Sequence, residues 1–176
     1  MVKTLVSIFS RNMDDTLASL ILLGKKLYGN VVVIDDHSKD DSKIIAEMAG
    51  ADFIESGPGL DYAGFITKSI VMGNRLRIEG LILLPGHFPF GSKDLKRFHE
   101  KIKSRKNDMI LSKRTLSEEL SAGLEFDDNL YQWNGIPEMI YLNGIAMKNT
   151  IIPGEGDDYL FTFRDDFKRK VKVEIF

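Results

Sequence analysis

The sequence predicts an α/β fold in which a mostly parallel, Rossmann-type sheet carries helices on both faces. Short apolar runs alternate with amphipathic segments of helical period from Thr4 to Ser112. The run from Val31 to Ile34 is apolar and β-branched throughout, which is typical of a parallel strand that is buried on both faces. This alternation favours right-handed crossovers between parallel strands in a doubly wound arrangement.

The predicted elements of this regular part follow from the spacing of the apolar residues and from the positions of the glycines. The predicted strands span 4–9, 31–34, 52–55, 80–84 and 108–112. The predicted helices span 14–27, 42–48, 62–76 and 93–103. Gly29 and Gly50 follow the first two helices, where a glycine commonly ends a helix. In the last helix Leu95, Phe98 and Ile102 are predicted to face the core.

The second half of the chain is less regular. Residues from Thr115 to Glu138 are polar and acidic and show no clear period. Met139 to Met147 is predicted to be a strand, and Val171 to Phe176 alternates as an edge strand would. An exposed edge strand can pair with a second copy, so a homodimer is one expectation. We predict a single domain, 1–176, with a nucleotide-binding half over 1–114 and an irregular, acceptor-side half over 115–176.

Composition narrows the class of protein. The chain has 176 residues, a formal net charge of −2 and no cysteine. The charge gives no basis for nucleic-acid binding, and the missing thiols exclude disulfides and thiolate metal sites. The longest nearly apolar stretch, Leu17 to Leu23, is far shorter than a membrane span. We therefore expect a cytoplasmic protein without a transmembrane segment or a nucleic-acid partner.

The run from Val31 to Asp41 carries the clearest functional signal. Its strand leads directly into Asp35 and Asp36, which should form an acidic loop at the carboxyl edge of the sheet. Open parallel sheets bind ligands at this edge. Ser38 and Asp40 are placed to cap a helix that starts near Asp41. The pattern indicates a site for a small polar ligand.

Other interpretations of polar motifs fit less well. An acid pair can bind metal in a phosphatase or a receiver domain, but a receiver places its acid cluster after the first strand. The glycines form neither a dinucleotide fingerprint nor a phosphate-binding loop. His37 and His99 are predicted to be bystanders, with His99 on the solvated face of the helix over 93–103.

Two quoted segments together resemble a known family. VSIFSRNMDDTLASLI, followed by VVVIDDHSKDDSKIIAEMAGADFI, resembles the nucleotide-binding half of family 2 glycosyltransferases, the GT-A fold that includes dolichyl-phosphate mannose synthases. The resemblance implies transfer of a sugar from a UDP- or GDP-linked donor. It places Ser10, Arg11 and Asn12 in the loop that holds the base. It also places Asp35 and Asp36 against uracil or ribose.

The family's metal signature is not matched. Its fourth strand ends in two carboxylates that hold Mn²⁺ or Mg²⁺ on the donor diphosphate, whereas this chain has Pro85, Gly86 and His87. A single imidazole replaces hard oxygen ligands poorly. His87 therefore stands as the sole candidate metal ligand, and also as a candidate substrate contact. Basic side chains can neutralise a diphosphate instead, and the candidates are Lys68, Arg75, Arg77 and Lys113. The alternative is that these lysines and arginines are simply solvated, as most such residues are.

The resemblance also implies a general base. An inverting transferase needs a carboxylate that takes the proton of the acceptor hydroxyl. Asp157 or Asp158, in the segment PGEGDD, is the candidate, although the same acids could begin a helix. Two hypotheses remain: an active glycosyltransferase, or a catalytically degenerate relative that binds nucleotide sugars or serves as an interaction module.

Overall fold

A computed structural model describes residues 3–84, 92–104, 107–112, 126–127, 130–132, 139–151, 160–163 and 172–175. The strands are β1 (Thr4–Ser10), β2 (Asn30–Asp36), β3 (Asp52–Ser56), β4 (Gly80–Leu84), β5 (Met109–Ser112), β6 (Phe126–Asp127), β7 (Leu130–Gln132), β8 (Met139–Asn143), β9 (Thr150–Ile151), β10 (Leu160–Phe163) and β11 (Val173–Ile175). The helices are α1 (Asp14–Tyr28), α2 (Ser42–Met48), α3 (Tyr62–Arg75), α4 (Ser92–Lys103) and α5 (Gly144–Asn149).

The described strands form one large sheet and one small sheet. The large sheet has the order β11-β5-β8-β4-β1-β2-β3, and the small sheet has the order β6-β7-β10-β9. Strands β4, β1, β2 and β3 run parallel, while β8 lies antiparallel between β4 and β5. The predicted α/β class with a mostly parallel sheet is therefore confirmed. The boundary expected near Arg114 lies outside the described residues, and the division at that point stays a prediction.

The two faces of the sheet carry separate apolar cores because successive strand residues point to opposite sides. Leu5 and Phe9 of β1 pack on the face covered by α3 and α5. Val6 and Ile8 of the same strand pack on the face covered by α1, α2 and α4. Helices therefore cover both faces, as the sequence predicts. None of the helices in the described ranges is long and apolar enough to cross a bilayer.

The structure corrects one predicted element. The strand predicted over 139–147 ends at Asn143, and α5 follows at once. The Asn143 Oδ1 atom accepts hydrogen bonds from the backbone N–H groups of Ile145 (3.0 Å) and Ala146 (2.8 Å). This side-chain cap satisfies amides that would otherwise lack partners at the start of the helix, so the chain turns there.

The predicted position of His99 is also wrong. Its ring packs edge-on against Tyr28, with the two ring centroids 4.9 Å apart. Leu95 and Phe98 of α4 are fully buried, as predicted. His99 lies next to this buried stripe and is partly buried. It is therefore part of the contact between α4 and α1.

We expect Asn143→Ala to lower the free energy of unfolding by about 1–2 kcal/mol, measured by urea denaturation. The substitution removes the cap of α5 and also the 2.6 Å hydrogen bond from Asn143 Nδ2 to Asp108 Oδ1. Asn74→Ala, which removes an exposed amide from α3, is the control and should change stability by less than about 0.5 kcal/mol. Equal stability of the two variants would contradict the assigned role of Asn143.

Candidate functional site

The candidate site lies at the carboxyl edge of β1, β2 and β3. Ser10 pairs with Asp35 across β1 and β2, and Asp35 pairs with Glu55 across β2 and β3. Asp35 and Asp36 belong to the strand and are only 2% and 4% exposed. The expectation of an acidic loop is thus wrong for these two residues. Both neighbouring strands extend alongside β2 as far as Asp35, and β3 extends to Asp36, so backbone pairing continues through the acids.

Asp35 holds the turn that follows β2. Its Oδ2 atom accepts a hydrogen bond from the Ser38 backbone N–H at 2.7 Å, and its Oδ1 atom accepts one from the Ser38 hydroxyl at 2.6 Å. The intervening His37 has a φ of 51°, a left-handed conformation that is uncommon outside glycine. The Asp35 carboxylate therefore stabilises an otherwise unfavourable turn.

Asp36 connects the site to the segment before α3. Its Oδ1 atom accepts a hydrogen bond from the Leu60 N–H at 2.9 Å. Its Oδ2 atom lies 3.5 Å from a guanidinium nitrogen of Arg11, whose side chain is 62% exposed. This ion pair is long, and most of the Arg11 side chain faces solvent. Arg11 is therefore held near the edge with donors available to a ligand.

The loops after β1 and β2 are joined by hydrogen bonds. The Asn12 N–H donates to the Ser38 hydroxyl oxygen at 2.8 Å, and Asn12 Oδ1 accepts from the Lys39 N–H at 2.9 Å. Asn12 also has a left-handed φ, of 53°. Both loops therefore turn sharply just after their strands and meet above the sheet edge.

Asp40 extends this connection to two helices. Its Oδ2 atom accepts from the Asp14 N–H at 3.0 Å, at the start of α1, and its Oδ1 atom accepts from the Ser42 N–H at 3.1 Å, at the start of α2. The Ser42 hydroxyl accepts from the Met13 N–H at 2.9 Å. We call the set Asn12, Ser38, Asp40 and Ser42 the loop clasp.

The loop clasp refines the predicted caps and reveals residues that sequence reasoning missed. Asp40 contacts the first residue of α2, as expected, whereas Ser38 binds Asp35 and Asn12 and does not cap this helix. Burial raises the pKa of Asp40, but hydrogen bonds from Ser42 and Asp14 outweigh it and lower the pKa below its ordinary value. Ser42 was not anticipated, although a serine at a helix start is a recognisable sequence signal.

The basic candidates divide between the two edges of the sheet. Lys68 Nζ donates to the Ser56 hydroxyl at 2.7 Å, and Ser56 pairs with Asp36, so Lys68 lies near the candidate site. Arg75 and Arg77 instead lie at the end of α3, just before β4 begins at Gly80. They are therefore at the opposite edge, and the expectation that they reach the diphosphate is wrong. Lys113 lies outside the described residues.

Two serine hydroxyls at the carboxyl ends of strands have no hydrogen-bond partner within the described part of the chain. Ser10 ends β1 and is fully buried, and Ser112 ends β5 and is 3% exposed. Ser10 was a predicted substrate contact, while Ser112 was missed because a lone serine at a strand end carries little sequence signal. An unpartnered buried hydroxyl retains its hydrogen-bonding capacity for another group.

The remaining predicted residues, His87, Asp157 and Asp158, lie outside the described residues. Within the residues that are described, no group of three histidine or acidic side chains could hold a metal ion. Asp35 uses both oxygens for Ser38, and Asp36 is engaged by Leu60 and Arg11. The carboxylates of Asp35 and Asp36 thus both contact protein donors, and we derive no step through a metal.

Structural comparison identifies the fold as GT-A-like. Glucosyl-3-phosphoglycerate synthase from Mycobacterium tuberculosis, solved with Mn²⁺, UDP and glucosyl-3-phosphoglycerate, matches with a TM-score of 0.67 and 14% identity, over 99% of this chain and 69% of that chain. The same enzyme with Mn²⁺, UDP-glucose and phosphoglyceric acid matches with a TM-score of 0.67, 13% identity and the same coverage. No protein-family model matches the chain, and no curated protein matches it by sequence. At these identities the likeness establishes the fold alone.

We expect Asp40→Asn to lower the free energy of unfolding at pH 7 by about 1–2 kcal/mol, because an amide can accept only one of the two backbone N–H groups. The folded pKa of Asp40 lies below its ordinary value of 3.8, so the ionised carboxylate stabilises the fold. That contribution is complete above the unfolded pKa and is lost as the pH falls towards the folded pKa. The difference between the proteins should therefore narrow from about pH 5 to about pH 3 in urea denaturation.

Asp41→Asn is the matched control, because Asp41 precedes α2 but its side chain makes no capping hydrogen bond. It should change stability by less than about 0.5 kcal/mol at pH 7. A stability difference for Asp40→Asn that does not depend on pH in this range would contradict the role given to the carboxylate charge.

Proposed function

We propose that this chain is a glycosyltransferase that binds a UDP-linked sugar at the carboxyl edge of β1 and β2. The observation that carries the proposal is the loop clasp, which joins the loops after β1 and β2 next to the buried pair Asp35 and Asp36. Each of these loops contains one residue with a left-handed φ, Asn12 or His37. Similarity of fold to an enzyme solved with UDP and UDP-glucose supports the choice of donor. The acceptor is a hydroxyl compound that we leave unspecified.

The hydrogen-bonding capacity left in the site favours a nucleoside over a bare phosphate. Asp36 Oδ2 has only a 3.5 Å contact with Arg11 and can still accept from a base N–H or a ribose hydroxyl. The exposed Asn12 side-chain NH₂ can donate to a base carbonyl, whereas the Ser10 hydroxyl is fully buried and is closed to a ligand in this structure. Asp35 contributes indirectly, because both of its oxygens already hold Ser38.

The donor diphosphate can be neutralised by cationic side chains. Arg11 is exposed at the edge and has several N–H donors, a geometry suited to phosphate oxygens. The Lys68 side chain extends from α3 to the end of β3, where its Nζ atom donates a hydrogen bond to the Ser56 hydroxyl. Preorganised positive charge of this kind stabilises the negative charge that develops on a departing nucleoside diphosphate.

We further propose Asp157 or Asp158 as the general base. The carboxylate would take the proton of the acceptor hydroxyl while the acceptor oxygen forms a bond to the anomeric carbon of the sugar. The bond from that carbon to the diphosphate oxygen breaks, and UDP leaves with its electron pair. Because the donor is a nucleotide sugar and the chain has no cysteine, we place this reaction in the cytoplasm.

A second candidate is a module that binds nucleotide sugars without transferring them. Pro85, Gly86 and His87 stand where the resembled family has its metal-binding acids, and this substitution favours loss of metal-dependent chemistry. Donor binding distinguishes both candidates from a purely structural protein, and turnover distinguishes them from each other.

UDP and UDP-glucose should raise the melting temperature, whereas GDP and GDP-mannose should raise it less, when measured by thermal shift with and without Mn²⁺. A ligand at 100 times its Kd adds about 2.7 kcal/mol of stability.

Asp36→Asn should weaken UDP binding about tenfold, equivalent to about 1.4 kcal/mol, because the Arg11 pair and an anionic acceptor are lost. Asp52→Asn, which removes an exposed carboxylate from the other end of β3, should bind as the wild type does.

The Mn²⁺ arm tests the role of metal. An equal shift with and without Mn²⁺ supports neutralisation by Arg11 and Lys68, while a larger shift with Mn²⁺ indicates that undescribed residues complete a metal site. Absence of a shift with every nucleotide would contradict both candidate functions.

Asp157→Asn or Asp158→Asn should reduce turnover of UDP-glucose at least about 100-fold while leaving UDP binding unchanged, because only the proton acceptor is removed. The measurement is release of UDP by the purified protein in the presence of hydroxyl acceptors. Glu155→Gln, in the same segment, is the control. Full turnover by both aspartate variants would place the base elsewhere, and binding without any turnover by the wild type would favour the non-catalytic module.

A further inference from the structure

A cavity of about 670 Å³ lies at the edge of the large sheet opposite the candidate site, where β4 begins. The end of α3, the start of α5 and the residues that precede β4 form its wall. The volume lies within the range of about 300–1,000 Å³ that is usual for small-molecule sites. Five of the eight lining residues are polar or charged, so the cavity suits a polar ligand.

Arg77, in this wall, follows α3 in a left-handed conformation, with a φ of 52°. Its N–H donates to the Asn74 carbonyl at 3.1 Å, and the Ile78 N–H donates to the Gly73 carbonyl at 3.1 Å. This pair of hydrogen bonds is a common way to end a helix, and glycine usually occupies the position of Arg77. A residue with a Cβ atom is strained there, because the Cβ atom crowds the following carbonyl oxygen.

Helix α2 ends in the same way, but with glycine. The Gly50 N–H donates to the Glu47 carbonyl at 2.9 Å, and the Ala51 N–H donates to the Ala46 carbonyl at 3.0 Å. Gly50 has a φ of 77°. Arg77 therefore stands where the equivalent helix end of this chain has glycine. Strained backbone of this kind is concentrated at functional sites, which points to a function of the Arg77 side chain.

Arg77 and Lys148 contribute two cationic side chains to the cavity wall. Both are exposed, and neither forms an ion pair with another described residue. The negative end of α3 is already compensated by Lys3, whose Nζ atom donates to the Leu76 carbonyl at 3.0 Å. Arg77 and Lys148 therefore keep their N–H donors for an anion, and the guanidinium fork matches the geometry of phosphate oxygens.

The other side chains of the wall suit a ligand body that carries hydroxyl groups. Glu79 is exposed and has no ion pair in the described chain, so its carboxylate can accept hydrogen bonds from hydroxyls. The Asn74 amide can donate as well as accept. Ile145 is 55% exposed and offers an apolar surface to carbon atoms. Because Glu79 repels anions, the charge of a ligand would lie near the two cations.

We propose that this cavity binds a phosphate ester of a small polyol, with the phosphate on Arg77 and Lys148 and the hydroxyls on Glu79 and Asn74. A phosphate monoester carries about 1.5–2 negative charges at pH 7 and has three acceptor oxygens, so it matches two cations better than one carboxylate does. The site does not depend on the proposed nucleotide-sugar site, because the two sites lie at opposite edges of the sheet.

The test is a titration of ¹⁵N-labelled full-length protein, followed through its amide NMR signals at constant ionic strength. The probes are glycerol 3-phosphate, inorganic phosphate, gluconate and glycerol. Glycerol 3-phosphate should shift the amides of Arg77, Ile145 and Lys148 and should bind at least about threefold more tightly than each other probe. Equal or tighter binding of another probe, or shifts confined to residues near Arg11 and Lys68, would overturn the proposal.

Arg77→Gly separates binding from folding. Its melting temperature should rise by at least about 2 °C, because glycine adopts the left-handed conformation without strain. Its affinity for glycerol 3-phosphate should fall at least about fivefold, because the phosphate loses a charge-assisted hydrogen bond. A lower melting temperature would show that Arg77 serves the fold, and unchanged affinity would show that it binds no phosphate. Either result would overturn the proposal.

Lys148→Gln tests the second cation. Its affinity for glycerol 3-phosphate should also fall at least about fivefold, while its melting temperature stays within about 1 °C of the wild type. Arg75→Gln removes an exposed charge from the same end of α3 but not from the cavity wall, so it is the matched control. Its affinity should stay within about twofold of the wild type. An equal loss in Arg75→Gln, or no loss in Lys148→Gln, would contradict a defined phosphate site.

Discussion

The hydrogen-bonding requirement of two adjacent helix starts determines the structure of the carboxyl edge. In a parallel sheet the helices that follow neighbouring strands begin at the same edge, and their first N–H groups have no partners within the helix. Asp40 accepts one such N–H from α1 and one from α2. Its negative charge also lies where the positive ends of both helix dipoles are closest. One carboxylate thereby fixes two helices, and the preceding loops take their positions from them.

This arrangement changes the meaning of the acidic pair at the end of β2. Both carboxylate oxygens of Asp35 accept hydrogen bonds from Ser38 across the turn at His37. Asp36 accepts one from the Leu60 N–H and so holds the segment before α3. The acids therefore shape the site as much as they could contact a ligand. The groups at this edge with unused hydrogen-bonding capacity are of both kinds: the exposed Arg11 guanidinium donates, and the Asp36 Oδ2 atom accepts. In the function proposed above, these donors and acceptors would contact the nucleoside and its phosphates.

Features that depend on local period were predictable, and features that depend on partner choice were not. The strand at Gly80–Leu84 and the helix at Ser42–Met48 have the predicted bounds. Such bounds can be predicted because the spacing of apolar residues along a short segment determines which of them can be buried together. The position of β8 between β4 and β5 could not be predicted, because an apolar run does not specify which strands it pairs with. At the site, the sequence places Asp35 at the correct edge, but the bond between Ser38 and Asn12 joins residues 26 positions apart. Nothing in their spacing selects this pair over others.

Helix α1 relates the two edges of the sheet. Its 15 residues span about 22 Å, from Asp14 in contact with the loop clasp to Tyr28 at the opposite edge of the sheet, where the Tyr28 ring packs against His99. Leu17 and Ile21, both fully buried, anchor its middle in the core, so the helix can move little without opening a void. The position of Tyr28 therefore depends on the same capping contacts that shape the carboxyl edge. The polar requirements of the two edges nevertheless differ, because Asp40 is satisfied by the protein whereas the Tyr28 hydroxyl has no partner in the described residues.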